Sequence, residues 1–277
     1  MSKAIIFGSR GQIGTEISTQ LKEAGWEVVE LHSGIISYTS QQQIQEIVKK
    51  ETPDVVVNCV AYTNVDGAER EENLQEVYAL NVWLPTFLTE ACTKIKCEFI
   101  HYSTDYVFDG SKILYSEESQ TNPLNMYGKT KLIGECIALS YSKTKVFRVQ
   151  SVYSNTNKNF YKAISSRVDV SKTMNVVDDQ IMAPTSAGWI AKQTIKTIGS
   201  GKYGLYNLVP DGMCSFADFA EEIVDGKCTI NRISYRDWGS QTSRPLRTIM
   251  SNNKFKQDFG HLEHWTEVFS EFKSKLA

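Results

Sequence analysis

No stretch of the 277-residue chain approaches the roughly 18 consecutive apolar residues of a membrane span, so no membrane association is expected. The opening Met1-Ser2-Lys3 and the short apolar run after it hold no signal-peptide core, and a cytoplasmic location is expected. Basic blocks are missing as well. Thirty Lys and Arg against 32 Asp and Glu leave a formal charge of −2, and no basic stripe suits nucleic acid. Low hydrophobicity with high charge, the mark of a disordered chain, is also absent: 41% of residues are hydrophobic and 22% charged. Six cysteines are present (Cys59, Cys92, Cys97, Cys136, Cys214 and Cys228), none spaced C-x-x-C. Several lie in apolar stretches, where cysteine acts as a small hydrophobe, and reduced thiols are expected. His261 and His264 are near each other without further ligand types around them, so no metal is expected.

What is there begins with alternation. Ala4–Phe7, Glu27–Leu31, Pro53–Asn58, Cys97–His101 and Lys145–Val149 read as strands. Helical spacing separates them: Ile13, Ile17 and Leu21; Ile44, Ile47 and Val48; Val77, Leu80, Leu84 and Leu88; and the stretch from Tyr127 to Leu139. Strand–helix alternation predicts a parallel sheet with right-handed crossovers. The second half has shorter elements and turn signals such as Pro210-Asp211-Gly212. The expected fold is α/β: a Rossmann-like doubly wound parallel sheet over residues 1–150, with a smaller C-terminal α/β substrate lobe over 151–277, interleaved with the first. Ligands of such sheets bind at the carboxyl ends of the strands.

Gly8-Ser9-Arg10-Gly11-Gln12-Ile13-Gly14 follows the first strand and opens the first helix. Glycines there let backbone amides approach a pyrophosphate, and the helix terminus adds partial positive charge. An NAD site usually carries an acid about 20 residues further on, against the ribose hydroxyl. Here the second strand runs into Leu31-His32-Ser33, and Arg10 lies in the turn. A cation and a hydroxyl suit a 2′-phosphate, so NADP is expected, with NAD the alternative.

Tyr127 and Lys131, four apart on a predicted helix, share a face. A nearby ammonium favours phenolate and would fit the phenol for proton exchange with a carbonyl oxygen. Tyr141 and Lys145 have the same spacing but straddle a helix end and a strand start. Tyr127 instead follows the turn Pro123-Leu124-Asn125-Met126, downstream of a strand that runs into Ser103-Thr104-Asp105.

The chain resembles the extended short-chain dehydrogenase/reductases, and within them the dTDP-4-dehydrorhamnose reductase family. The blocks that carry the resemblance are GSRGQIG at 8–14, VVNCVAYTNVDGAE at 56–69, ALNV at 79–82, YSTDYVFDG at 102–110, PLNMYGKTK at 123–131, VVDDQIMAPTSA at 176–187 and SRP at 243–245. The resemblance implies reduction of the C4 keto group of a nucleotide-activated 4-keto-6-deoxy sugar by NADPH, first of all dTDP-4-dehydro-L-rhamnose to dTDP-L-rhamnose. It implies Tyr127 as proton donor, Lys131 on the nicotinamide ribose, and Thr104 with Asp105 at the sugar carbonyl. Ser103 would hold that loop. Gly8, Gly11 and Gly14, with Gln12 and Ile13, would hold the pyrophosphate. Ala61 and Tyr62 would line the cofactor cleft, and Asn81 would support the lysine. Asn159, Gln180, Pro184 and Arg244 would shape the nucleotide-sugar site.

Departures from the family pattern fall near the sugar. Where the family usually reads Arg-Thr-Ser-Trp-Val-Tyr, this chain has Arg148-Val149-Gln150-Ser151-Val152-Tyr153, so Gln150 and Ser151 are expected on a more polar sugar wall. Leu246-Arg247-Thr248-Ile249-Met250 lacks the usual Gly/Asn-Ser pattern, and Ile36–Ser40 lacks an expected acid. Some relatives join two copies through magnesium and glutamates. Glu16 matches one such position but Gly188 replaces another, so a homodimer stays open and a metal is not expected. The rival readings are a self-recycling epimerase, a dehydratase (disfavoured because Tyr106 follows Thr104-Asp105) and a non-catalytic NADP-binding regulatory subunit. Replacing Arg10 by alanine should weaken NADPH binding about ten- to a hundredfold, the worth of a hydrogen bond to a charged group, and NADH much less. Equal losses in the two titrations would remove Arg10 from 2′-phosphate recognition.

Overall fold

The computed structural model describes residues 1–240 and 242–276; Gln241 and Ala277, the last residue of the expected lobe, lie outside the described residues. Six strands make one parallel sheet: β1 (Lys3–Phe7), β2 (Glu27–Leu31), β3 (Val55–Asn58), β4 (Glu98–Thr104), β5 (Thr144–Val149) and β6 (Gly204–Asn207). Their spatial order is β2-β1-β3-β4-β5-β6, every pairing parallel. The order reverses between β1 and β3, where a doubly wound sheet opens its ligand crevice.

Both faces are covered, which is why β3, β4 and β5 are buried along their whole length. On one face, α1 (Gln12–Glu23) and a helix at Ala187–Thr197 pack Ile17, Leu21, Trp189 and Ile190 against Ala4, Ile6, Val55, Val57 and Ile100. On the other, α2 (Gln41–Glu51), α3 (Leu84–Ile95) and α4 (Met126–Leu139) cover Ile5, Phe7, Val56, Phe99 and Val146. The residues of β1 and β3 thus alternate between two cores, as the period of two requires. Ser40 caps α2 by accepting the Gln43 amide.

The expected long helix across Val77 to Leu88 is broken into Leu74–Tyr78, a π-helical turn at Ala79–Trp83, and α3. The chain also returns: β6, from the second half, pairs with β5 and completes the sheet. The smaller lobe pairs strands Thr173–Val177 and Thr229–Ile233 in parallel and packs Phe219, Trp265 and Phe269 around Tyr153. Its helix Phe216–Val224 starts with a reciprocal Ser215–Asp218 capping box. No helix among the described residues is long and apolar enough to cross a membrane.

One buried ion pair locks α4 to the sheet. Arg148 of β5 donates from Nε to Glu135 at 2.9 Å and from Nη2 at 2.5 Å, both side chains being 3% exposed. Removing one partner strands a buried charge. Glu135→Ala is therefore expected to lower unfolding free energy by about 3–5 kcal/mol in urea denaturation. A loss close to that of an average surface substitution would show that the pair does not anchor the helix.

Candidate active site

The glycine turn sits where the sheet order reverses. Gly8, at φ +80°, donates its amide to the Leu31 carbonyl at 2.8 Å and so joins β1 to the end of β2. A Cβ on Gly8 would press on the Cys59–Val60 backbone at 3.0 Å, and one on Gly14 would overlap the Gly8 carbonyl oxygen. The start of α1 therefore lies flat against two strand ends. Gly11 caps α1 without a side chain, which leaves the first helical amides, at Gln12 and Ile13, open toward an anion. A cradle that a side chain would fill, at an uncapped helix start, fits a dinucleotide pyrophosphate.

Arg10 and Ser33 are exposed and His32 half-buried at this same end. Glu30, the acid nearest in sequence to a ribose-binding carboxylate, pairs with Lys22 of α1 at 2.7 Å. Gln12 is drawn toward the lobe: its Oε1 accepts from Ser154 Oγ at 2.8 Å and from Asn159 Nδ2 at 2.9 Å. Asn159 also caps the helix Phe160–Ser165, which brings it to the glycine turn.

The candidate reacting groups lie at the carboxyl end of β4. Asn125 caps α4 by accepting the Gly128 amide at 2.8 Å, and its Nδ2 donates to the Ser243 carbonyl at 3.0 Å. Glu69 accepts the Met126 amide at 2.6 Å. Tyr127, Lys131 and Glu135 then succeed one another at four-residue steps along one face. The Lys131 ammonium, 3% exposed, donates to the Tyr102 carbonyl at 2.6 Å. Burial pushes Lys131 down to about 8, opposed by the negative charge of Glu135. Burial pushes Tyr127 up to about 12, opposed by a hydrogen bond with Thr104. Here the structure differs from the expectation that Lys131 lowers the phenol. Desolvation outweighs neighbouring charge, and Tyr127 is held protonated.

Asn81 lies in the π-helical turn. It accepts the Tyr62 amide at 2.9 Å and donates to Thr130 Oγ1 at 3.1 Å. It thus ties the Ala61–Tyr62 segment to the residue before Lys131, rather than touching Lys131. Thr104 donates to Asp105 Oδ1 at 3.1 Å and accepts the Tyr106 amide at 3.2 Å. Ser103 is buried, and its hydroxyl finds no partner among the described residues.

Two residues expected against the sugar have other partners. Asp105 is 4% exposed, and its Oδ2 accepts from Gln150 Nε2 at 2.9 Å and Thr248 Oγ1 at 2.5 Å. Gln150 is 2% exposed and sits behind that carboxylate, not on an open wall. Ser151 is half-buried at φ +44°, and its carbonyl accepts the Thr185 amide at 3.3 Å. In the lobe, Arg244 forks onto Asp66 at 2.8 and 2.9 Å. Gln180 and Pro184 are buried, and Gln180 donates to the Pro245 carbonyl at 3.5 Å. Asp66, Glu69 and Thr248 are contributors the sequence reading did not single out. Asp66 lies in the short helix Val65–Ala68 and Glu69 at its C-terminal end, and their roles appear only when α4 and residue 244 meet them.

Comparison with known proteins gives matches along the whole chain. The RmlD substrate binding domain family matches residues 2–277. The spore coat polysaccharide biosynthesis protein SpsK of Bacillus subtilis is 31% identical, over 98% of this chain and 97% of that protein. The dTDP-4-dehydrorhamnose reductase of Salmonella typhimurium is 32% identical, over 92% and 91%. Among solved structures, a dTDP-4-dehydrorhamnose reductase of Clostridium acetobutylicum superposes with a TM-score of 0.94 at 30% identity, covering 99% of both chains. The Bacillus anthracis dTDP-4-dehydrorhamnose reductase in complex with NADP gives 0.95 at 27%, covering 99% of this chain and 100% of that one.

A buried lysine at about 8 sets a pH test. As pH rises through that value Lys131 loses its proton, and with it a donor and a charge. NADPH affinity, followed by fluorescence titration, should fall over the same range. Glu135→Gln removes the charge that supports the ammonium, so the fall should move to lower pH. An affinity that stays flat across this range would exclude Lys131 from cofactor binding.

Proposed function

The chain belongs to the RmlD substrate binding domain family, and we propose that within it this protein reduces the C4 keto group of a nucleotide-activated 4-keto-6-deoxy sugar with NADPH, first of all dTDP-4-dehydro-L-rhamnose. It is an NAD(P)-dependent oxidoreductase of nucleotide-sugar metabolism, and its cofactor is NADP. The observation that carries the finer reading is the face of α4, which sets Tyr127 beside Thr104, and Lys131 under the end of β4.

Gly8, Gly11 and Gly14, with the open amides at the start of α1, would hold the pyrophosphate. Arg10, His32 and Ser33 lie where the 2′-phosphate of the adenosine ribose would meet them, and Lys131 would hold the nicotinamide ribose. The reduced nicotinamide supplies the hydride that carbon C4 receives. What the chain adds is control of the oxygen. Charge grows on the carbonyl oxygen as C4 is reduced, and a protonated Tyr127 donates to it. An alkoxide is far more basic than a phenolate, so transfer from Tyr127 runs downhill even with the phenol pushed up to about 12. Thr104 lies beside that hydroxyl and would be a second hydrogen-bonding group at the oxygen. The nucleotide sugar would lie in the cleft between the sheet edge and the lobe segment 242–248. There Arg244 is poised to exchange part of its Asp66 pairing for phosphate oxygens. A role in surface polysaccharide assembly accords with the name of one relative, the spore coat polysaccharide biosynthesis protein.

A second reading, a different 4-keto sugar, is favoured by one observation: Ser151, half-buried, stands where the family pattern carries a tryptophan. One assay separates the two. Loss of reduced-nicotinamide absorbance is followed with nucleoside-diphosphate 4-keto-6-deoxy sugars, with and without a C3/C5 epimerase. Turnover that needs dTDP and the epimerase supports the first reading. Turnover with another sugar supports the second. Bound NADPH without oxidation across the panel overturns both and turns the assignment to an epimerase or a regulatory subunit. In whichever assay is productive, Tyr127→Phe should slow turnover about 10²- to 10⁴-fold at unchanged NADPH affinity, as loss of a positioned acid does. Near-normal turnover would overturn the role of Tyr127.

A further inference from the structure

The first turn of α4, which carries Tyr127, is held from outside the helix by two segments. Asn125, its cap, donates through Nδ2 to the Ser243 carbonyl at 3.0 Å. Glu69 accepts the Met126 amide at 2.6 Å, which places a carboxylate on one of the amides that a helix start leaves unpaired. Glu69 follows the short helix Val65–Ala68, whose Asp66 accepts from Arg244 Nη2 at 2.8 and 2.9 Å. The short helix is itself tied down. Asn64 caps it by accepting the Gly67 amide at 3.0 Å, and Asn73 donates to the Gly67 carbonyl at 2.9 Å. A Cβ on Gly67 would overlap the Tyr62 hydroxyl. Residues 243 and 244 thus reach the start of α4 twice, once through Asn125 and once through Asp66 and Glu69.

Stability does not account for the second route. The Asp66 and Arg244 side chains are 57% and 26% exposed, and a pair so placed adds little to folding. Arg244 meets Asp66 through Nη2 alone, and its Nε has no partner among the described residues. The guanidinium can therefore take a phosphate oxygen while Asp66 keeps some hold on it. We propose that Asp66 and Glu69 are positioning residues acting in series: they transmit the position of the 242–244 segment to the first turn of α4, and so to Tyr127. Neither touches the reacting atoms. A diphosphate that draws Arg244 toward itself pulls on the group that Asp66 holds, and Glu69 passes the displacement to Met126, one residue before the phenol. Proton donation thereby answers to the nucleotide end of the substrate.

This role rests on the reductase reading, in which a nucleotide sugar occupies the cleft, and a measurement without turnover tests it apart from the chemistry. Hydrogen exchange of the whole protein with NADPH bound is read with and without dTDP, and with UDP in parallel. In the unaltered protein one of the two should slow exchange both at 242–248 and at the first turn of α4. In Asp66→Asn the protection at 242–248 should remain and that of α4 should be largely lost. Glu69→Ala should behave alike, and Glu69→Gln, which keeps an acceptor for the Met126 amide, should restore it. Protection of α4 that survives Asp66→Asn overturns the proposal, as does an unaltered protein in which neither nucleotide protects α4. In turnover, Asp66→Asn and Glu69→Ala should each lower kcat about tenfold, the cost of a slightly misplaced acid, with KM for the nucleotide sugar and Tm near those of the unaltered protein. Because the two act in series, the double variant should lose no more than either alone. Losses that multiply, or a raised KM at unchanged kcat, would give the acids separate or binding roles and overturn the series. A fall in Tm with both kinetic constants unmoved would make them merely structural and overturn it too. If no sugar of the panel is turned over, the reductase reading fails by itself, and the exchange experiment decides the positioning role.

Discussion

Everything at the reacting end of this molecule depends on keeping a polar helix face inside a dry interior. Tyr127, Lys131 and Glu135 descend along α4 toward the sheet, and the descent ends on Arg148 of β5. Each step compensates the one above it. Arg148 neutralises Glu135, and Glu135 opposes the desolvation of Lys131. Lys131 is also satisfied by the Tyr102 carbonyl. Isolated from the others, any of these charges would be expelled or discharged by burial. As a chain they fix one rotation of α4, and so fix where the phenol of Tyr127 emerges.

The same logic divides the molecule into parts that hold and parts that yield. Apolar clusters fill the sheet layers and, separately, the smaller lobe. An apolar cluster also joins Val107, Phe108 and Tyr115 to Ala183, Val209 and Met250, but around the glycine turn and at residues 243–244 the contacts are polar: Asn159 and Ser154 on Gln12, Asn157 on the Arg10 carbonyl, Asn125 on Ser243, Arg244 on Asp66. Hydrogen bonds of this kind contribute little net, because a ligand's oxygens can replace those they lose. Buried hydrocarbon offers no such exchange. A cleft closed by replaceable polar contacts can admit a dinucleotide on one side and a nucleotide sugar on the other without disturbing either core.

Local pattern made much of this legible. The five strands of the first half, the glycine turn and the Tyr127–Lys131 face follow from periodicity and from residue chemistry over short spans. What local pattern did not reveal depends on partners far along the chain. β6 has no period of its own and becomes a strand because β5 offers an open edge. The break at Ala79–Trp83 reads as plain helix, since Val77, Leu80, Leu84 and Leu88 keep helical spacing across it. It matters because the turn holds Asn81 against Tyr62. Gln150 shows the limit most clearly. A glutamine next to a sugar-facing position suggests a polar wall, and only the approach of residues 105, 183 and 248 from separate segments shows that its amide faces inward.

The same burial sets the protonation state of the phenol. A phenol that must remove a proton from an alcohol benefits from a nearby cation; one that must give a proton to a growing alkoxide benefits from being kept protonated. Desolvation of Tyr127 does the second, and the ammonium of Lys131, bonded to the Tyr102 carbonyl, does little to reverse it. Burial also pushes the Asp105 carboxyl upward, and the donors of Thr104, Gln150 and Thr248 pull it back. Burial outweighs those donors, and the Asp105 carboxyl, like the Tyr127 phenol, stays above its ordinary value.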